Sequence, residues 1–150
     1  MTSDWELLAR IGTGFVLAFV LGFERELRGS PAGDRTFALI GAATAAVTAA
    51  LYRTSPQALA GVITGIGFIG AGVVFHAEGS LVRGITTASA IFATAAIGVV
   101  VGTGRLVVGT VTAIGVLFIL ELRNIPGARL LDPRRYQDAF RDDNDPPSPR

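Results

Sequence analysis

Five apolar runs, each about seventeen residues long, dominate the chain: Trp5–Phe23, Thr36–Tyr52, Ala58–Phe75, Ile85–Val101 and Leu106–Leu122. As a helix, a run of that length reaches roughly 25 Å, a little short of the ~30 Å hydrocarbon core of a bilayer, so flanking side chains must extend to the interface or the bilayer must thin. Arg10 can extend in this way at the start of the first run, with Trp5 as an interfacial anchor. A soluble bundle would need a polar face on each helix. Ala42–Ala50 and Ile91–Val101 carry no charged residue on any side. The expected fold is therefore all-α: a polytopic helical membrane protein of about five transmembrane helices, its main partner the lipid bilayer.

Composition narrows the function. Half of the 150 residues are hydrophobic and 17% are charged, proportions that favour a membrane chain over a soluble domain of this size. The absence of cysteine excludes disulfides, thiolate metal sites and a cysteine nucleophile. A net charge of +1, with the arginines scattered through short gaps, makes no case for nucleic acid. His76, the one histidine, stands in a short loop beside Glu78 and by itself supports neither a zinc site nor a catalytic triad. Neither an enzyme nor a cofactor is expected.

Arginine placement sets an expected orientation. One side of the alternating spans holds Arg25, Arg28, Arg35, Arg83 and the tail from Arg123, the other Arg10, Arg53 and Arg105. Basic short loops stay on the cytoplasmic side, which places the amino end outside and the carboxyl end inside. Asp4 and Glu6 stand at the start of the first run, where a signal peptide would be basic, so that run is expected to remain as an anchor. Residues 1–123 read as the transmembrane domain, and 124–150 as a short cytoplasmic tail, largely disordered. Within the tail, Asp132-Pro133 opens a short helix with Tyr136 and Phe140 on one side.

Many of the 19 glycines fall inside the runs. In lipid, helices associate through close backbone approach, which small residues at four-residue intervals permit. Such series are Gly14, Ala18 and Gly22; Gly41, Ala45 and Ala49; Gly61 and Gly65; and Thr86, Ala90, Thr94, Gly98 and Gly102. The run GIGFIGAG, Gly65 to Gly72, is denser than packing requires. It reads either as very close helix contact, the favoured reading, or as a kinked, partly unwound segment exposing carbonyls to a polar cavity.

Between the first two runs lies GFERELRGSPAGDRT, Gly22 to Thr36. Glu24 follows Phe23 so closely that it is expected at the hydrocarbon edge, where a carboxylate needs a partner. Arg28 at i+4, Arg35 or Arg83 could supply one. Asp34 is the expected N-cap of the next helix.

Together with GVITGIGFIGAGVVF and GITTASAIFATAAIGVVVGTGR, this stretch resembles, in order and spacing, the signature motifs of the MgtC/SapB family of bacterial inner-membrane proteins, over roughly Leu7 to Leu122. The resemblance implies functional positions at Glu24, Arg25, Glu26, Arg28, Ala32, Gly33, Asp34, Arg35 and Thr36; at Gly65, Gly67, Phe68, Gly70, Ala71 and Gly72; and at Gly84, Thr86, Thr87 and Ala88. It implies a non-enzymatic regulator linked to magnesium limitation and virulence. Such a regulator would act through contact with another membrane protein, the membrane part of ATP synthase. The alternative is a magnesium or other cation transporter, with Glu24, Glu26 or Asp34 at its cytoplasmic mouth and no dedicated metal cage. A homo-oligomer is left open.

Overall fold

A computed structural model describes residues 3–75 and 84–122, and every apolar run is a helix in it. The helices are α1 (Asp4–Leu27), α2 (Asp34–Leu51), α3 (Gln57–Phe75), α4 (Ile85–Gly102) and α5 (Leu106–Glu121). Among them α1, α3 and α4 are long and apolar enough to cross a membrane, while α5 is a shorter apolar helix. α2 opens on Asp34 and Arg35. The chain divides into two compact units, Met1–Leu117 and Phe118–Arg150, the second described only over residues 118–122. The expected tail from residue 124, including its short helix, lies outside the described residues, as do His76, Glu78, Arg83 and Arg123.

Helices α1, α2 and α4 pack on one another, with α2 in the middle, and small residues decide how closely. A methyl group added at Gly14 of α1 would stand 2.8 Å from Ala45 Cβ and 2.9 Å from the Gly41 carbonyl oxygen of α2. The α2–α4 seam is also close: a methyl at Gly98 would overlap the Thr44 hydroxyl and lie 2.9 Å from the same Gly41 oxygen. Two of the predicted series, Gly14–Ala18–Gly22 and Gly41–Ala45–Ala49, are buried throughout. The α4 series is buried from Ala90 to Gly102, and Thr86 at its start is exposed.

The glycines of α3 behave differently. α3 is an unbroken α-helix, so the segment is not unwound. It packs mainly on α4, yet among the described residues no atom lies within 4 Å of where a side chain would begin at Gly61, Gly65 or Gly67. Gly70 meets Ala88 at 3.6 Å. Among the described residues the expectation of close helix contact is therefore not met at Gly61, Gly65 and Gly67. The buried stripe of α3 runs through Ile66 and Gly70, and Gly61, Gly65, Phe68 and Gly72 lie on the opposite side, a placement that counting intervals along the sequence does not reveal.

The outer face of α1 carries Phe15, Phe19 and Phe23, stacked at 6.3 Å between successive ring centroids and exposed to the surroundings of the protein. At the other side of that helix Arg10 is 6% exposed and donates through Nη1 to the Gly102 carbonyl, 3.1 Å away, at the end of α4. This corrects the expectation that Arg10 extends to the membrane interface. The Glu6 carboxylate one turn earlier compensates the buried charge, and the C-terminal carbonyl of α4 takes a remaining donor.

Candidate functional site

The motif-bearing residues meet where α1 ends and α2 begins. α1 closes at Arg28, and Gly29 takes a left-handed conformation (φ 67°) that turns the chain back. The Ser30 amide donates to the Arg25 carbonyl at 3.0 Å, and Ala32 is buried beneath the turn. A methyl at Gly22 would lie 2.7 Å from Asp34 Cα, so the two helices cross at backbone contact, bringing the end of α1 against the start of α2.

Glu24 is 6% exposed and is held by Arg25, whose Nε and Nη2 donate to the two carboxylate oxygens. Arg28 Nε stands 3.6 Å from Glu24 Oε1, as the i,i+4 spacing predicts. Arg25 was the partner missed by spacing rules, which treat adjacent residues as diverging around a helix. With Glu24 and Arg25 both buried, a long guanidinium side chain wraps back to satisfy a carboxylate that water cannot reach. Arg35, another expected partner, is exposed, with its backbone amide donating to Asp34 Oδ1 at 2.6 Å.

The cap of α2 also differs from expectation. Gly33, not Asp34, is the N-cap and has no side chain to offer. Glu26 of α1 supplies the missing group: its Oε2 accepts from the Asp34 amide at 3.1 Å, and its carboxylate lies so close to Gly33 that a methyl there would collide with it. A carboxylate at a helix N-terminus satisfies a free N–H and complements the helix dipole. Glu26→Ala is accordingly expected to cost about 1 kcal/mol, read as a lower midpoint of thermal unfolding in detergent, with Glu26→Gln losing less because its carbonyl still accepts. Equal midpoints for all three proteins would show that the cap contributes nothing.

The third motif joins through α4. Gly84 begins that helix in a left-handed conformation (φ 89°), and Thr87, buried in its first turn, shares a 2.8 Å hydrogen bond with Ser30. Of the two expected threonines, Thr87 meets the turn between α1 and α2 and Thr86 is exposed. Ser30 was not singled out from the sequence. Its position beside the turn-forming proline and glycine was the available signal, but only the approach of α4 gives its hydroxyl a partner.

Two hollows flank this end. A polar cleft of about 400 Å³ is lined by Glu26, Ser30, Gly33, Asp34, Arg35 and Thr36 among others. An apolar groove of about 500 Å³ separates α3 from α4, lined by Ile66, Gly67, Gly70, Ala71, Ala88 and Phe92 among others. Thus Gly67 and Gly70 line the groove, Asp34, Arg35 and Thr36 line the cleft, and Gly65 and Gly72 line neither. Glu24 and Glu26 are committed to Arg25 and to the α2 N-terminus. Among the described residues no three metal-ligating side chains cluster.

The sequence model of the MgtC family matches residues 11–126. Protein MgtC of Brucella abortus (strain 2308) is 38% identical, over 79% of this chain and 52% of its own length. YhiD of Escherichia coli (strain K12), whose name proposes a magnesium transporter, is 34% identical over 78% of this chain and 60% of its own. Protein SapB of Bacillus subtilis (strain 168) is 31% identical over 67% of this chain and 49% of its own. The chain spans about half the length of the curated relatives it matches. No solved structure matches. Apolar helices long enough to span a bilayer and a family pattern running through nearly all of them lead to one conclusion: the chain belongs to the MgtC family of bacterial inner-membrane proteins.

Proposed function

We propose that this protein is a membrane regulator linked to magnesium limitation, acting through contact between its helices and another membrane protein, with its amino end outside and its carboxyl end in the cytoplasm. The observation that carries this reading is the exposed side of α3. Gly61 and Gly65 leave notches beside Phe68, which is 82% exposed, and among the described residues neither meets an atom within 4 Å of where a side chain would begin. Glycine lowers helix stability by about 1 kcal/mol relative to alanine, and lipid gives nothing back for a notch. A partner helix does, by approaching the backbone. The membrane part of ATP synthase is the partner that the family resemblance implies.

A cation carrier is the second reading, favoured by the name of the Escherichia coli relative. Against it, Glu24 is neutralised by arginine and Glu26 caps a helix, which leaves Asp34 alone among the expected mouth carboxylates. Benzoylphenylalanine in place of Phe68, irradiated in living cells, is expected to crosslink a membrane protein, and Gly65→Leu to reduce that yield severalfold while the protein stays folded. Absence of any crosslink, together with magnesium flux in proteoliposomes that Glu24→Gln slows, would replace the regulator with the carrier.

A further inference from the structure

Arg10 does more than close the end of α4. Its Nη1 donates to the carbonyl of Gly102, the last residue of α4, and its Nη2 pairs with Glu6 one turn earlier on α1. The three-residue turn that follows, Thr103 to Arg105, passes directly over the guanidinium. Gly104 adopts φ +92°, and a methyl on it would stand 3.0 Å from Nη2 and 3.1 Å from Cζ. One guanidinium therefore touches both the last carbonyl of α4 and the turn that launches α5. The Tyr52 hydroxyl, just past the end of α2, approaches it too.

Among the described residues α5 otherwise meets α4 along one narrow seam, where a methyl at Gly109 would collide with Val101. Over Leu106–Glu121 its buried residues are Gly109 and Ala113, and Val107, Val111 and Ile114 are exposed. We infer that Arg10 is a latch: while bound to Glu6 and Gly102 it fixes the direction in which α5 leaves α4, and its release lets α5 swing about Gly104. The chemistry suits a latch with discrete states. A planar guanidinium offers donors at fixed angles to two acceptors at once, which a lysine ammonium on a flexible stem does not reproduce. If the guanidinium leaves Gly102 it keeps its ion pair with Glu6, but the Gly102 carbonyl and one buried N–H lose their partners together, which disfavours intermediate positions. Glu6, half-exposed, is the member of the pair accessible from outside the bundle.

The native chain has no cysteine, so paired nitroxide labels can be placed cleanly. Phe92→Cys on α4 with Ile114→Cys on α5 reports the α4–α5 angle, and Phe19→Cys with Leu39→Cys reports the α1–α2 pair; all four side chains are exposed. In the otherwise native protein the 92–114 distance distribution is expected to be single and narrow. Arg10→Gln, which removes a hydrogen bond made by a charged group, is expected to raise the ratio of a second population about tenfold or more. Arg10→Lys is expected to fall between the two and Glu6→Gln to show a smaller rise, while the 19–39 distribution stays narrow in every variant. An unchanged 92–114 distribution in Arg10→Gln overturns the latch. So does equal broadening of both pairs, which would mean that Arg10 only stabilises the bundle. If Arg10→Gln cannot be recovered folded, Arg10→Lys decides by the same two criteria.

Discussion

Gly98→Ala is expected to lower the stability of the protein by about 2–3 kcal/mol, whereas the identical change at Gly65 is expected to raise it by up to ~1 kcal/mol. Both glycines lie inside apolar helices, so helix propensity favours alanine equally at each. The difference comes from what the new methyl meets. At Gly98 it overlaps the Thr44 hydroxyl and stands 2.9 Å from the Gly41 carbonyl oxygen. The hydroxyl can rotate, but it then gives up its 2.8 Å bond to the Ile40 carbonyl, and the Gly41 oxygen belongs to helix backbone and cannot yield without moving α2. At Gly65 nothing lies within 4 Å. Thermal unfolding of the two variants in one detergent, followed by helical circular dichroism, compares them directly. A Gly98→Ala midpoint equal to or above the native one would show that the α2–α4 seam is not the close contact described.

Arg25→Ala is expected to cost about 3–5 kcal/mol, the cost of leaving a buried carboxylate without its main partner. Arg28 at 3.6 Å remains, but it is itself partly exposed and shares less of the burial. The double variant Glu24→Leu/Arg25→Met is expected to recover most of that loss, because a well-packed apolar pair avoids the desolvation that makes a half-broken ion pair costly. The coupling energy from the four-protein cycle, measured as thermal or denaturant stability in detergent, separates the pair from its neighbours. Additive single effects would show that Glu24 is satisfied from elsewhere. Recovery of stability without recovery of partner crosslinking at Phe68 would place the ion pair in function and not merely in folding.

Part of the candidate site was legible in the sequence. Glu24 follows Phe23 directly, and a carboxylate at the edge of an apolar helix implies a cationic partner on energetic grounds alone. Its i,i+4 neighbour Arg28 was readable from helix geometry. Arg25 as the closer partner was not, because spacing rules describe directions around an isolated helix, and burial of that face bends a long side chain back along it. Glu26 as the cap of α2 was equally hidden: capping patterns look three residues ahead in the chain, and this carboxylate reaches from eight residues before Asp34 across a turn. The Ser30–Thr87 bond spans 57 residues and has no local signature.

The sequence by itself determined the solvent and the elements. Apolar runs of bilayer length cannot dissolve in water and cannot leave backbone groups unpaired in lipid, so they must be helices, and their ends must fall where the charges are. Only the tertiary structure decided which small residues mattered to the fold. Gly41 and Gly98 are indistinguishable from Gly65 by spacing, and what separates them is whether another backbone lies against them. That depends on how helices distant in the chain cross, a property of three-dimensional packing that no interval along one helix encodes.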